Sequence, residues 1–301
     1  MTTTLKTYFT RWLDRRLGLT LISATTAEGY EFAMKPCLAA LGARPLDEIS
    51  ADDIMDFYVA RLRVVTPATL RAVHVLLTTL FAAAHEAGTI ARNPMKGVEA
   101  PRGGSKERHA LDAKQIRALL DYSADKPLLL RTVRLALATG LRRGELVGLR
   151  GSDLDLDAGT LTVSRGIVKV GKTEREAPPK TEAGARTISL PADLVADLKA
   201  ARIGAAEPVL KTSWGNRPSL AYMSELVGSA LSAIGCGEGY CLHSTRHAHA
   251  THLLKAQMPI KAVSKRLGHA DVTVTMRTYA KVLAGDDADC AAAMARVMGA
   301  T

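Results

Sequence analysis

Cysteine is scarce. The four in 301 residues, Cys37, Cys236, Cys241 and Cys290, form no CxxC pair and follow no regular spacing, which argues against a disulfide framework and against a cysteine-based zinc site. Long apolar runs are missing too. Hydrophobic residues make up 47% of the chain and mean hydropathy is +0.04, yet no stretch reaches the ~18 uninterrupted apolar residues a spanning helix requires. The opening MTTTLKTYFTRWLDRR lacks the basic start and apolar core of a secretory signal. A cytoplasmic protein with reduced thiols and no membrane partner is expected. Internal repeats and low-complexity tracts are absent, so the length points to two domains.

Acidic residues are the minority. Lys and Arg total 40 against 30 Asp and Glu, a net charge of +10 with a pI near 9.6, a balance suited to a polyanionic partner. The excess is lopsided: residues 1–100 carry 11 basic and 10 acidic side chains, residues 101–301 carry 29 and 20. Between them, residues 96–108 hold Gly, Pro and charge without apolar periodicity and read as a linker. The expected domains are therefore 1–95 and 109–301.

The first domain reads as four helices. Residues 4–18 and 25–41 form two; Ser50 to Asp53 caps a third with Ile54, Phe57, Tyr58 and Leu62 at helical spacing; Thr66-Pro67 opens a fourth that runs to Gly88. Nothing in it suggests catalysis. In the second domain Asp112 caps a helix to about Tyr122, and Pro127 opens another that Gly140 stops. From Thr160 to Leu190, TLTVSRGIVKV and ARTISL show β-branched alternation, which predicts a small antiparallel sheet with a turn at 182–184. Helices then dominate to the end. The fold class expected is mainly α with a small antiparallel β-sheet.

Five segments of the second domain hold polar residues that packing does not require. Arg142 follows the Gly140 stop in ATGLRRGEL, with Glu145 one turn later. Lys180 sits in PPKTEAGAR at the edge of the predicted turn. His243 and Arg246 lie three apart, on one helical face, in HSTRHAHATHLL. His269 follows Leu267-Gly268, and Tyr279 comes ten residues later in LGHADVTVTMRTYAKV. These are the parts for phosphoryl transfer without a metal. Arginine clamps phosphodiester oxygens and stabilises charge that builds in the transition state. A phenol can attack phosphorus once a base or a cationic field helps remove its proton. Lysine can protonate the departing sugar oxygen, and histidine carries protons either way near neutrality. A zinc ion held by His243 and His247 is the rival, disfavoured because no Asp or Glu lies in that run and Arg246 would sit beside the metal.

Taken together and in this order, GLRRGEL, the Lys180 segment, HSTRH, LGHADVTVT and Tyr279 resemble the tyrosine recombinase (phage integrase) family. The resemblance covers the second domain, and the four-helix segment is similar to that family's core-DNA-binding domain. It implies that Tyr279 is the nucleophile forming a 3′-phosphotyrosyl link, that Arg142 and Arg246 hold the scissile phosphate, and that Lys180 is the general acid for the 5′-hydroxyl. It implies that His243 handles the tyrosine proton and that His269 donates to the phosphate. Glu145 and His247 would orient these groups from behind. No metal and no cofactor is expected.

The family's large aliphatic two residues after His243 is Thr245 here. Lys172, in VGKTERE, competes for the lysine role, although KTEAGARTISL favours Lys180. The chain starts at the helical domain without an arm-site-binding domain, as in a simple-type integrase of Xer-like size. Met294, Val297 and Met298 mark a tail helix over about 286–299 that would dock on a neighbouring protomer. The resemblance implies a site-specific recombinase that integrates and excises a phage or mobile-element genome through a Holliday junction. Its partners would be double-stranded DNA core sites, a homotetramer assembled on two of them, and an accessory directionality factor. A Xer-type resolvase is the nearest alternative, followed by a type IB-like topoisomerase and an inactive DNA-binding regulator.

Overall fold

Hydroxyl and carboxylate caps start most of the helices, as local sequence predicts. The computed structural model describes residues 3–103, 109–179 and 181–279, with residues 294, 295 and 298. The chain divides into two compact units, Met1–Glu107 with Val170–Thr173, and Arg108–Lys169 with Glu174–Thr301.

In the first unit, α1 (Leu5–Gly18), α2 (Ala24–Leu41), α3 (Ala51–Leu62) and α4 (Pro67–Glu86) form a bundle. Thr4, Ser23, Ser50 and Thr66 each accept a backbone N–H of the following turn, which satisfies donors that the helix itself leaves unpaired. Ser50 and Asp53 complete a reciprocal capping box. Leu5, Met34, Ile54, Leu77 and Phe81 are fully buried, each contributing roughly 1.5–3 kcal/mol of burial free energy. Leu62 differs from the other three residues of its stripe and is exposed. By length and composition α4 is apolar enough to cross a membrane, but its Leu70, Val73, Leu77, Leu80 and Phe81 stripe is buried in the bundle core.

The second unit is built on α10 (Leu242–Lys255), which is buried from Ser244 through Thr251. It packs against α6 (Pro127–Thr139), α9 (Leu220–Ala233) and α11 (Ile260–Leu267), and α5 (Ala113–Ser123) lies on α6 and α9. Burial all round explains why Thr245 is tolerated where an aliphatic residue was expected: its hydroxyl donates to the Leu242 carbonyl at 2.7 Å. Strands β1 (Leu154–Asp155), β2 (Thr160–Val163) and β5 (Arg186–Ser189) form an antiparallel sheet in the order β1-β2-β5, with Leu161 opposite Ile188 and Val163 opposite Arg186. β3 (Gly166–Val170) and β4 (Thr173–Ala177) pair separately. The short α7 (Arg143–Gly148), then α8 (Ala192–Ala200) and α12 (Val272–Thr278) complete the described α-helices. The fold is thus mainly helical with small antiparallel sheets. Of the expected tail helix only residues 294, 295 and 298 are described, with Met294 and Met298 exposed.

Candidate active site

Two left-handed glycines set the geometry. Gly140 ends α6 at φ 65° and Gly268 ends α11 at φ 66°, a conformation that glycine adopts without a Cβ penalty. There is no room for a side chain at either position: a Cβ on Gly140 would lie 2.6 Å from His249 Cδ2, and one on Gly268 would lie 2.8 Å from Arg186 Nη1. The carbonyls at these helix ends are left over from the helical ladder and carry the negative end of the dipole. Arginines take them crosswise. Arg142, just past Gly140, donates to the Gly268 carbonyl at 3.0 Å, and Arg246 on α10 donates to the Gly140 carbonyl at 2.6 Å and the Leu267 carbonyl at 2.8 Å. Arg246 is almost wholly buried. Burial first, and then the charge of Arg142, lower its pKa to about 10, so it remains protonated at neutral pH.

One carboxylate balances this cluster. Glu145 accepts the Arg142 backbone N–H at 2.9 Å and its Nη1 at 2.8 Å, and it accepts two bonds from Arg186, at 2.9 and 3.3 Å. Burial works to raise the Glu145 pKa, but the hydrogen bonds and charges of Arg186 and Arg142 outweigh it and hold the carboxyl below its usual value. Arg186 also donates to the carbonyls of Gly184 and Arg266. Arg266 in turn reaches the carbonyls of Ala138 and Ser189 and the Nε2 of His249. His249 donates its Nδ1–H to the Leu137 carbonyl at 2.7 Å. With burial and the nearby arginines holding its pKa to about 4, this ring is a neutral strut between α6 and Arg266. Four guanidinium groups against one carboxylate leave the site cationic and suited to an anion that accepts hydrogen bonds bidentately.

The aromatic groups sit beside this cluster. His269 has Nε2 at 3.0 Å from Arg246 Nη2 and Nδ1 at 2.7 Å from Thr275 Oγ1. Burial, then Arg246, Arg142 and Arg186, lower its pKa to about 4. Tyr279, which follows α12, is 5% exposed. Its hydroxyl lies 3.1 Å from His247 Nδ1, and the rings of His243 and His247 meet edge-on with centroids 4.7 Å apart. His243 itself is exposed. A cavity of about 460 Å3 opens beside the arginines, lined by Arg142, Glu145, Arg165, Pro179, Thr181 and His269 among others.

The structure thus brings together Arg142, Glu145, His243, Arg246, His247, His269 and Tyr279 from four segments of one unit. Two contacts among these rings bear on their chemistry. The tyrosine hydroxyl has His247 Nδ1 within hydrogen-bond distance, with the His243 ring against that of His247, and His269 Nε2 accepts from Arg246. Lys180 lies outside the described residues. Its rival Lys172 is exposed between β3 and β4. Among the described residues no cluster of three or more His, Cys, Asp or Glu is placed to hold a metal. Three residues went unnoticed in the sequence: Arg186, Arg266 and Thr275. A signal for the first was present, because strand alternation puts Arg186 on the same face as the inward Ile188.

The model of the phage integrase family matches residues 109–202 and 216–285. A tyrosine recombinase XerC of Alcanivorax borkumensis is 28% identical over 90% of this chain and 87% of its own length. A XerC-like tyrosine recombinase of Caldanaerobacter subterraneus is 29% identical over 71% of this chain and 62% of its own, and a XerC of Xylella fastidiosa is 32% identical over 62% and 61%. The chain thus spans about three fifths of the length of the latter two relatives. Among solved structures, the Tn1549 transposon integrase with a circular-intermediate DNA shares the fold at a TM-score of 0.83, with 20% identity over 98% of this chain and 99% of that one. A lambda integrase tetramer bound to a Holliday junction shares it at 0.73, with 21% identity over 92% and 77%.

Proposed function

The chain belongs to the phage integrase family of tyrosine recombinases, and from that premise we propose that it cuts and rejoins double-stranded DNA at specific sites, with Tyr279 as the nucleophile. The observation that carries the reading is the convergence of Arg142, Arg246, His269 and Tyr279 at two crossed helix ends in a cationic site. The Tyr279 oxygen attacks the phosphorus of a phosphodiester, the 5′-oxygen of the deoxyribose leaves with a proton, and a 3′-phosphotyrosyl bond replaces the one broken. Arg142 and Arg246 hold the non-bridging oxygens and stabilise the charge that gathers on them. His247, against the phenol, takes its proton, and His243 stands behind it. Lys180 supplies the proton to the leaving oxygen. The new bond conserves the energy of the old one, so no ATP and no metal enters.

The role we assign is integration and excision of a phage or other mobile element in the cytoplasm of a bacterial host, by a tetramer that assembles on two core sites and passes through a Holliday junction. The match in fold to transposon and lambda integrases supports it, as does the basic second unit. Relatives named XerC favour a second reading, resolution of chromosome or plasmid dimers, with the same chemistry. Contacts to the DNA phosphates would supply salt-dependent affinity.

The test uses a pool of random-sequence duplexes carrying a nick, so that a cleaved fragment diffuses away and the adduct accumulates. Covalent adducts should form in EDTA without ATP, and the DNA they hold should converge on one sequence. Two duplexes bearing that sequence should then exchange strands. EDTA-sensitive cleavage would point to a metal enzyme, and adducts scattered over all sequences, with relaxation of any supercoiled plasmid, would point to a topoisomerase.

A further inference from the structure

Both ring nitrogens of His269 have partners, and the partners differ in kind. A guanidinium only donates, so Nε2, 3.0 Å from Arg246 Nη2, holds the lone pair. The ring proton is therefore on Nδ1, and Thr275 Oγ1 accepts it at 2.7 Å. A phosphodiester reverses the demand. Its oxygens only accept, so a His269 that is to hydrogen-bond one needs its proton on Nε2. Charging the ring would supply that proton, but burial and the guanidinium groups of Arg246, Arg142 and Arg186 oppose a cation there more strongly than Glu145 favours it. The remaining route is the other neutral tautomer, which requires a donor at Nδ1. A hydroxyl can act in either sense. Thr275 is fully buried, so solvent does not replace it. Its own carbonyl accepts the Tyr279 backbone N–H at 3.0 Å.

We propose that Thr275 is a positioning residue that sets the tautomer of His269: its hydroxyl accepts from Nδ1 while Arg246 holds Nε2, and donates to Nδ1 when a tetrahedral oxyanion takes Arg246's place. Through its carbonyl the same residue ties that state to the backbone of the nucleophile. The inference rests on the phosphoryl-transfer reading above and extends it to the last residue of the LGHADVTVT segment, to which that reading gives no role. A purely structural Thr275 would fill space and satisfy one imidazole N–H, with no need to reverse.

The experiment follows the His269 side-chain nitrogens by 1H–15N NMR in the 15N-labelled full chain, assigned by their loss in His269→Gln. The probe is sodium sulfate, an oxyanion that carries no proton at neutral pH, with sodium chloride at matched ionic strength as control. Without sulfate, Nδ1 should show the shift of a protonated nitrogen and Nε2 that of a lone-pair nitrogen; at saturating sulfate the two should exchange character. Thr275→Ser should keep the exchange. Thr275→Val, which keeps the branched shape, should lose it and should form the covalent DNA adduct roughly 10- to 30-fold more slowly, the effect of one lost hydrogen bond near the reacting phosphate. An Nε2 that stays a lone-pair nitrogen in saturating sulfate, no sulfate-dependent shift at all, or the same exchange in Thr275→Val as in the parent would each overturn the proposal. If Thr275→Val does not fold, the parent and Thr275→Ser spectra still decide. The sulfate measurement needs neither DNA nor cleavage, so its failure is distinguishable from failure of the recombinase reading, which would appear as missing adduct in the parent.

Discussion

Replacing Arg186 by methionine removes four hydrogen bonds at once: two to the Glu145 oxygens, one to the Gly184 carbonyl and one to the Arg266 carbonyl. Methionine keeps much of the aliphatic stem, so the change is chiefly one of charge and donors. The two side chains are 4% and 11% exposed. Removing one partner of a buried pair costs about 3–5 kcal/mol, because the other charge is left desolvated. Arg142 still holds Glu145, which places the expected loss near the lower limit, about 3 kcal/mol, or roughly 6–12 °C in Tm for a domain of this size. The sign with pH also follows. Arg186 holds the Glu145 carboxyl below its usual pKa; without it burial raises that pKa, so the folded variant takes up a proton at higher pH than the folded parent and its stability deficit shrinks as pH falls from 7.5 to 5.5. Urea unfolding by circular dichroism at pH 7.5 and 5.5, with Glu145→Gln and the double variant, measures both effects. Coupling above about 1.5 kcal/mol between the two positions is expected. A loss under about 0.5 kcal/mol, or additive single effects, would refute the reasoning.

Further expectations concern the glycines, the histidines and the arginines. Gly140→Ala meets His249 at a positive φ and should lose about 1–3 kcal/mol in the same assay, whereas Gly228→Ala in α9, with nothing within 4 Å of the added carbon, should gain up to about 1 kcal/mol. His249, with a pKa of about 4 in the folded protein against an ordinary 6.5, contributes stability that is present above pH 6.5 and lost as pH falls through 4. The full effect is roughly 3 kcal/mol, and the urea midpoint of His249→Gln should fall less steeply over that window than the parent's. Arg142→Lys and Arg246→Lys keep the charge but lose the planar fork, so adduct formation should drop by at least about 100-fold while filter-binding affinity for the selected DNA changes only about threefold. Equal losses in both assays would make these residues binding rather than catalytic groups.

What the sequence made legible was local or colinear. Caps such as Ser50, Thr66 and Asp112 and the stop at Gly140 mark helix ends through interactions within four residues, so the helices lie where periodicity puts them. The candidate site residues could be named because each sits in a short motif. Long-range pairing was not legible. β-Branched alternation over 160–190 announces strands without saying that β5 joins β2 while β3 and β4 pair apart. Strand alternation puts Arg186 on the inward face, but nothing in the sequence names its partner, Glu145, 41 positions away. The four-residue spacing of His243 and His247 was visible, but which ring meets Tyr279 depends on where α12 ends. Thr275 closes the LGHADVTVT segment, but nothing in the sequence shows that its hydroxyl meets the ring six positions earlier.

The central claim is that one phenol becomes covalently joined to DNA, and peptide mapping of the trapped adduct tests it most directly. The nucleotide mass should reside on the peptide containing Tyr279, joined through a 3′-phosphate, and Tyr279→Phe should yield no adduct while still binding the selected duplex. A nucleotide carried by any other residue, or adduct formation undiminished in Tyr279→Phe, would contradict the account.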